Sequence, residues 1–290
     1  MKLFKTIFLT LLFLTQLVSS NLKNDEKISA IVTIDWLKTN LNNPNLVLVD
    51  LREKDEYLKG HLKNAVNIPG LKSLFDEKFL MPKLDFLKEL LSNAGINSNS
   101  LVVAYDNGDF IWAARFYWIL QTLGHDNVAL LKVAYGSLLK ENFKITNDEY
   151  KPVRKEFIPR VDNKKIQTKL STLLAIGKKT IIDGRKESHY EGKESLAKRF
   201  GHIPTALNYQ CTQNYQVSKD GNSMKDLSKL EEIYKDIPKD KEIILYCDGG
   251  AEAALNYIVL QELGYKVSVY DGSWLEWGND TEVPIVNPSK

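Results

Sequence analysis

Cysteine and histidine are scarce in this chain. Its 290 residues include two cysteines and four histidines. Two cysteines exclude a disulfide-dense scaffold and a four-cysteine zinc site. The histidines, at positions 61, 125, 189 and 202, form no His-x-x-x-His pair, so neither a built-in catalytic metal nor any other cofactor is expected. An excess of one charge is also lacking. Lysine plus arginine is 39 and aspartate plus glutamate 37, a formal net charge of +2. That balance gives no electrostatic reason for a nucleic-acid partner, which needs a clustered basic surface. What remains is ordinary globular usage, with 43% hydrophobic and 26% charged residues. The length predicts two domains at about 150 residues each.

The one long apolar run is at the start. Residues 1–20 read MKLFKTIFLTLLFLTQLVSS, with Lys2 and Lys5, an apolar stretch from Ile7 to Leu14, and small residues at Val18-Ser19-Ser20. This is the tripartite pattern of a cleaved signal peptide, and the run is short for a membrane span. Cleavage would remove two lysines and no acid, leaving 37 charges of each sign. The expectation is an exported protein, periplasmic or secreted, with no stable membrane span after cleavage and no cysteine to carry a lipid anchor.

The rest of the chain repeats itself at a spacing of about 140 residues. Val47-Leu48-Val49-Asp50-Leu51-Arg52 reads as a buried strand ending in Asp-x-Arg, and Thr180-Ile181-Ile182-Asp183-Gly184-Arg185 does the same. Gly60-His61-Leu62-Lys63-Asn64-Ala65 is matched by Gly201-His202-Ile203-Pro204-Thr205-Ala206. Apolar strands Leu101–Tyr105 and Ile243–Tyr246 each lead into a loop and an apolar-periodic helix closing on Leu-Gly, at 123–124 and 263–264. A further strand follows in each half, Val128–Leu131 and Val267–Tyr270. Short continuous apolar strands alternating with helices predict an α/β fold, a central parallel sheet per half with helices on both faces. The expected units are residues 28–145, a polar, lysine-rich linker at 146–165 with Pro152 and Pro159, and residues 166–285.

The chemistry concentrates at Cys247, where a buried strand gives way to Asp248-Gly249-Gly250-Ala251-Glu252-Ala253. Ligands of open α/β sheets bind beyond the carboxyl ends of strands. Two glycines allow backbone N–H groups to turn inward around a sulfur or an anion. A helix over Ala253–Leu263 would point its positive end at the cysteine, favouring thiolate, the attacking species of covalent cysteine chemistry.

At these residues the chain resembles the tandem-domain rhodanese family of sulfurtransferases, which includes thiosulfate and 3-mercaptopyruvate sulfurtransferases. Val269-Tyr270-Asp271-Gly272-Ser273-Trp274-Leu275-Glu276-Trp277 is similar to the family's C-terminal signature, and Gly201-His202-Ile203-Pro204 and Asp183-x-Arg185 to two further motifs. The first half carries the degenerate copy, with Asp106 where the second has Cys247. The resemblance implies two rhodanese-like domains, the first non-catalytic and the second catalytic. It implies that Cys247 takes the outer sulfur of a small-molecule donor as a persulfide and passes it to a thiol or cyanide. Donor binding falls to Arg185, with Arg199 as second choice, and to the loop residues Asp248, Gly249, Gly250, Ala251 and Glu252.

The loop also departs from the family. It lacks the basic residue of thiosulfate-type members, and Gly249 stands where mercaptopyruvate-type members have serine. Asp248 and Glu252 bring two acids instead. Whether they oppose the thiolate turns on whether they face the sulfur or the solvent. A related phosphatase family needs arginine six residues after the cysteine, and Ala253 excludes that reading. Two rivals stand beside the enzyme: a non-catalytic binding module, and an exported thiol-redox protein pairing Cys211 with Cys247. His61 and His202 read as structural, Trp274 and Trp277 as packing, Asp106 as a vestigial loop position, and Trp112, Tyr117 and Trp118 as core facing the other half.

Overall fold

The computed structural model describes residues 28–219 and 221–290. The expected signal segment, residues 1–20, lies outside the described residues.

Each half builds one five-stranded parallel sheet. In the first, the strands are β1 (Ile31–Val32), β2 (Leu46–Asp50), β3 (Ala65–Asn67), β4 (Leu101–Tyr105) and β5 (Val128–Leu131), in spatial order β1-β5-β4-β2-β3. In the second they are β6 (Ile166–Gln167), β7 (Thr180–Asp183), β8 (Leu207–Asn208), β9 (Ile243–Tyr246) and β10 (Val267–Tyr270), in order β6-β10-β9-β7-β8. The two orders are identical strand for strand, and every ladder in both sheets is parallel. The central strands β4 and β9 are buried on both faces, which is why they read as continuous apolar runs rather than alternating ones.

Helix α1 (Ile111–Thr122) follows β4, and α2 (Ala251–Glu262) follows β9. Both are buried almost all round, as helices lying between two sheets must be. They pack on each other and form the seam between the halves. Tyr117 and Tyr257 bring their rings to 6.4 Å, and Tyr117 Oη donates to Gln261 Oε1 at 2.7 Å. Tyr117 and Trp118 are fully buried, whereas Trp112 is half-buried against Phe75. Each helix closes on a left-handed glycine, Gly124 or Gly264, as a C-terminal stop requires.

The linker carries no regular structure after Thr146 until β6 begins at Ile166. It is nonetheless tied down: Phe157 is buried, and its N–H donates to Ser92 Oγ at 3.1 Å. Among the described residues no helix is long and apolar enough to cross a membrane.

Candidate active site

The carboxyl ends of β7 and β9 lie side by side, Asp183 pairing with Tyr246, so the next residues of both strands open onto one edge. Tyr246 is fully buried and its Oη donates to Asp183 Oδ2 at 2.6 Å. Arg185 turns back onto the same carboxylate through Nε (2.9 and 3.1 Å) and Nη2 (2.6 Å), and Nη2 also donates to the Gly201 carbonyl at 2.8 Å. The Asp-x-Arg motif is therefore a fully buried ion pair that ties two crossover loops together. One arm stays open: Nη1 has no hydrogen-bond partner and lies 3.7 Å from Asp248 Oδ1, itself unpartnered.

Cys247 follows Tyr246 and is 1% exposed. Its carbonyl accepts the Trp274 N–H at 2.9 Å, and its own N–H donates to Ser273 Oγ at 3.2 Å, so the signature after β10 holds the loop from behind. The loop turns through Gly250 at φ +86°, and α2 starts at Ala251, two residues earlier than the periodicity of the sequence predicts. The Gly250 N–H donates to Cys247 Sγ at 3.0 Å, and the Gly249 and Ala253 amides also point at the sulfur. A Cβ on Gly250 would sit 2.7 Å from Arg115 Nη1, so glycine is needed both for the turn and for the space. Half-buried Ala251 opens the helix, and Gly249 faces Leu275 and Phe79, the latter from the first half. Arg115, also from the first half, pairs with Asp271 at 2.6 Å beneath the loop. The site thus lies at the seam between the halves.

Both acids face inward. Asp248 Oδ2 lies 2.9 Å from His189 Nδ1, and burial raises this carboxyl although Arg185 and His189 favour its charge. The Glu252 carboxyl is pushed up to about 7, by burial first and then by the nearby Asp248. Burial first, then the Glu252 charge, pushes the Cys247 thiol up from 9 to about 12. This shift runs against the helix end, which the sequence expectation had favouring the thiolate. The rise corresponds to about 4 kcal/mol against the charged form, whereas a helix end supplies about 0.3–1 kcal/mol. Burial therefore opposes the thiolate more strongly than the helix end favours it.

Other expected residues fall elsewhere. Arg199 donates to the carbonyls of Val283 (2.8 Å), Trp277 (2.7 Å) and Gly278 (3.4 Å). It holds the C-terminal segment, so its guanidinium is spent on structure there rather than on the loop, where the sequence had it as second choice for donor binding. Cys211 and Cys247 are both free thiols, not a disulfide. Burial first, then the Glu252 carboxylate, opposes ionisation of Cys211. His61 and His202 stack on Tyr57 and Tyr190 at 3.5 and 3.8 Å and place Nδ1 against the Tyr57 and Tyr190 carbonyls, a structural role in both halves. Trp274 and Trp277 are fully buried in the core. His189 was missed in the sequence, where its place four residues after Arg185 carried no visible signal. Among the described residues no cluster of three or more His, Cys, Asp and Glu side chains suits a metal ion.

Two matched parallel sheets with one cysteine cradled at the edge of the second define a tandem α/β protein with a single thiol site. A rhodanese-like domain model matches residues 33–140 and 167–280, so the chain belongs to the rhodanese-like family. It is 31% identical over 276 residues to a thiosulfate sulfurtransferase of Corynebacterium glutamicum, covering 88% of this chain and 89% of that one. It is 26% identical to a 3-mercaptopyruvate sulfurtransferase of Escherichia coli, covering 88% and 96%. The solved structure of SseA from Escherichia coli, described as of rhodanese fold, superposes with a TM-score of 0.75 at 25% identity, over 85% of this chain and 99% of that one.

Proposed function

We infer that this chain is a sulfurtransferase that carries sulfur as a persulfide on Cys247. The observation that carries the reading is the seat of that thiol: buried at the carboxyl end of β9, with the Gly250 amide 3.0 Å from Sγ. The similarity to thiosulfate and 3-mercaptopyruvate sulfurtransferases over most of the chain supports it.

In the first half-reaction the Cys247 sulfur attacks the outer sulfur of the donor. A new S–S bond forms, the bond from that sulfur to the rest of the donor breaks, and the electron pair leaves with the departing group, sulfite from thiosulfate or pyruvate from 3-mercaptopyruvate. In the second, a thiol or cyanide attacks the outer sulfur and Cys247 is released. The persulfide is more acidic than the thiol, and the inward amides stabilise its charge once it forms. The open Nη1 of Arg185 is the group that meets an anionic donor.

Export is part of the proposal and rests on the pattern of residues 1–20. Intact-mass measurement on protein recovered from the expressing cells tests both points. Incubation with thiosulfate or 3-mercaptopyruvate adds one sulfur atom, removed by reductant and absent in Cys247→Ser, on a chain shortened by residues 1–20. No gain with either donor favours the binding-module alternative, and a two-hydrogen deficit linking Cys211 to Cys247 favours the redox one.

A further inference from the structure

At the sheet edge that carries Cys247, a buried donor and a buried acceptor stand side by side without partners. Arg185 Nη1 has N–H groups to give and Asp248 Oδ1 has lone pairs to offer, yet neither makes a hydrogen bond. They face each other at 3.7 Å, attracted as charges but beyond hydrogen-bond reach. We propose that this pair is a seat for the carboxylate and α-ammonium groups of an amino-acid persulfide, and that such a compound, of the cysteine persulfide kind, is the sulfur donor. The proposal rests on the reading of Cys247 as the persulfide carrier and names the class of donor it takes.

The two sides of the seat are held differently. Arg185 is fixed. Its Nε and Nη2 are spent on Asp183 at 2.6 to 3.1 Å, Nη2 also donates to the Gly201 carbonyl at 2.8 Å, and its side chain is fully buried. That leaves Nη1 as the arm a ligand can meet. Asp248 is tethered through one oxygen, Oδ2, which lies 2.9 Å from His189 Nδ1. Its side chain is 16% exposed, and Gly249 and Gly250 follow it in the chain. Asp248 is therefore the side that yields. Pivoting on the His189 contact, it swings Oδ1 away from Arg185 and admits the ligand between them.

Charge then selects the ligand. A ligand carboxylate accepts from the guanidinium, and a ligand ammonium donates to the aspartate. A donor with the carboxylate alone leaves Oδ1 unpaired in a buried place, and one with the ammonium alone leaves Nη1 unpaired. Each omission should cost about tenfold or more. Arg185 already faces Asp183 on its other edge, so a dianion such as thiosulfate meets a repulsion from Asp248 that a zwitterion does not. Asp248 adjoins Cys247 in the chain, so a head seated beside it needs only a short side chain to present its sulfur.

The step balances without a further reactant. The Cys247 sulfur bonds to the outer sulfur of the donor, and the donor's own S–S bond breaks. The electron pair of that bond stays on the inner sulfur, which takes up the proton that Cys247 gives and departs as the amino-acid thiol. One S–S bond replaces another, and nothing is oxidised or reduced overall.

The test uses persulfides formed from sulfide and the disulfides of L-cysteine, 3-mercaptopropionate and cysteamine. Their heads carry both groups, the carboxylate alone and the ammonium alone. The rate at which each adds one sulfur atom to Cys247 is read by intact mass on the full chain and on Asp248→Asn, with thiosulfate and 3-mercaptopyruvate alongside. Cysteine persulfide should load the wild type about tenfold or more faster than either analogue. Asp248→Asn should lose the advantage over the 3-mercaptopropionate compound and load faster than wild type from thiosulfate. Equal wild-type rates for the persulfides, or an advantage that survives in Asp248→Asn, overturn the proposal. If Asp248→Asn fails to fold, the wild-type series decides alone. Loading from thiosulfate or 3-mercaptopyruvate with no preference among the persulfides overturns the seat and leaves the transfer reading intact. No loading from any donor overturns the transfer reading and the proposal with it.

Discussion

The two halves present the same loop with different occupants. In the first, Asp106 stands at the end of β4, and its carboxylate accepts N–H groups from Gly108 (2.8 Å), Phe110 (3.1 Å) and Ala113 (3.2 Å). In the second, Cys247 Sγ accepts the Gly250 N–H at the same place. Both residues offer their carbonyl to an N–H four residues beyond β5 or β10, Tyr135 or Trp274, at 2.9 Å. The first half thus shows what the cradle is built to hold, which is a negative charge on a side chain. There the charge is the side chain's own carboxylate, and it caps α1. In the second half the cradle is offered to a sulfur whose charge burial opposes. The arginines differ in the same sense. Arg52 repeats the bonds of Arg185 to its aspartate and to a glycine carbonyl, but it also stacks on the Tyr135 ring at 3.4 Å. Arg185 lies 4.5 Å over the Trp274 ring, which offers it no oxygen. Of these two arginines, Arg185 is the one with a buried nitrogen, Nη1, that has no hydrogen-bond partner.

That difference is measurable as stability. Replacing either arginine by methionine strands a buried aspartate and should cost about 3–5 kcal/mol. Arg52→Met should cost more than Arg185→Met by about 1–2 kcal/mol, because an unmet buried donor is relieved only in the second half. Urea unfolding midpoints of the two variants check this. Equal or reversed losses would mean that the open arm of Arg185 is satisfied in solution and is not reserved for a donor.

The occupant of the first cradle makes a pH prediction. Burial pushes Asp106 up from 3.8 to about 6, opposed by the three amides. A carboxyl raised on folding holds its proton more tightly in the folded state. Its stabilising contribution is therefore full below about 4 and is lost as pH rises through about 6, by about 3 kcal/mol over that range. Asp106→Asn cannot titrate and should lack this loss. The difference in unfolding free energy between wild type and variant, followed from pH 4 to 7, isolates it from the other carboxyls. A difference that does not change with pH would show that the cradle fully compensates burial.

Much of this was legible beforehand. The Asp-x-Arg ends, the Gly-His turns and the Leu-Gly stops are local patterns, and a pattern repeated in order specifies a repeated fold. The seat of Cys247 followed from a strand run meeting two glycines. The protonation of its thiol did not, because it depends on how completely the loop is covered, and Phe79 and Arg115 reach it from more than 130 residues away in sequence. The acids at 248 and 252 were visible as charges but not as directions. Asp106 looked vestigial because a cap is recognised by its partners, and its loop is one residue longer, with Phe110 at φ 60° doing the turn that Gly250 does. Arg199 looked available because its carbonyl partners come from the distant 277–283 segment.

The smallest expected effects come from the two loop glycines, which neighbour each other yet should respond oppositely. A Cβ on Gly249 would meet Leu275 Cδ1 at 3.6 Å and Phe79 Cβ at 3.8 Å, ordinary contact distances, and its φ is not left-handed. Gly249→Ser should therefore change stability by no more than about 0.5 kcal/mol. Gly250→Ser must hold a left-handed φ and press on the buried Arg115, at a cost of about 1–3 kcal/mol. The first half tolerates a side chain at its own left-handed turn because Phe110 is accommodated in the core against Tyr215. No such space lies above Arg115. Thermal melts of the two serine variants test the contrast. If Gly249→Ser proves as damaging as Gly250→Ser, the floor of the second loop is tighter than its contacts indicate, and a serine of the mercaptopyruvate kind is excluded there by packing rather than by chemistry.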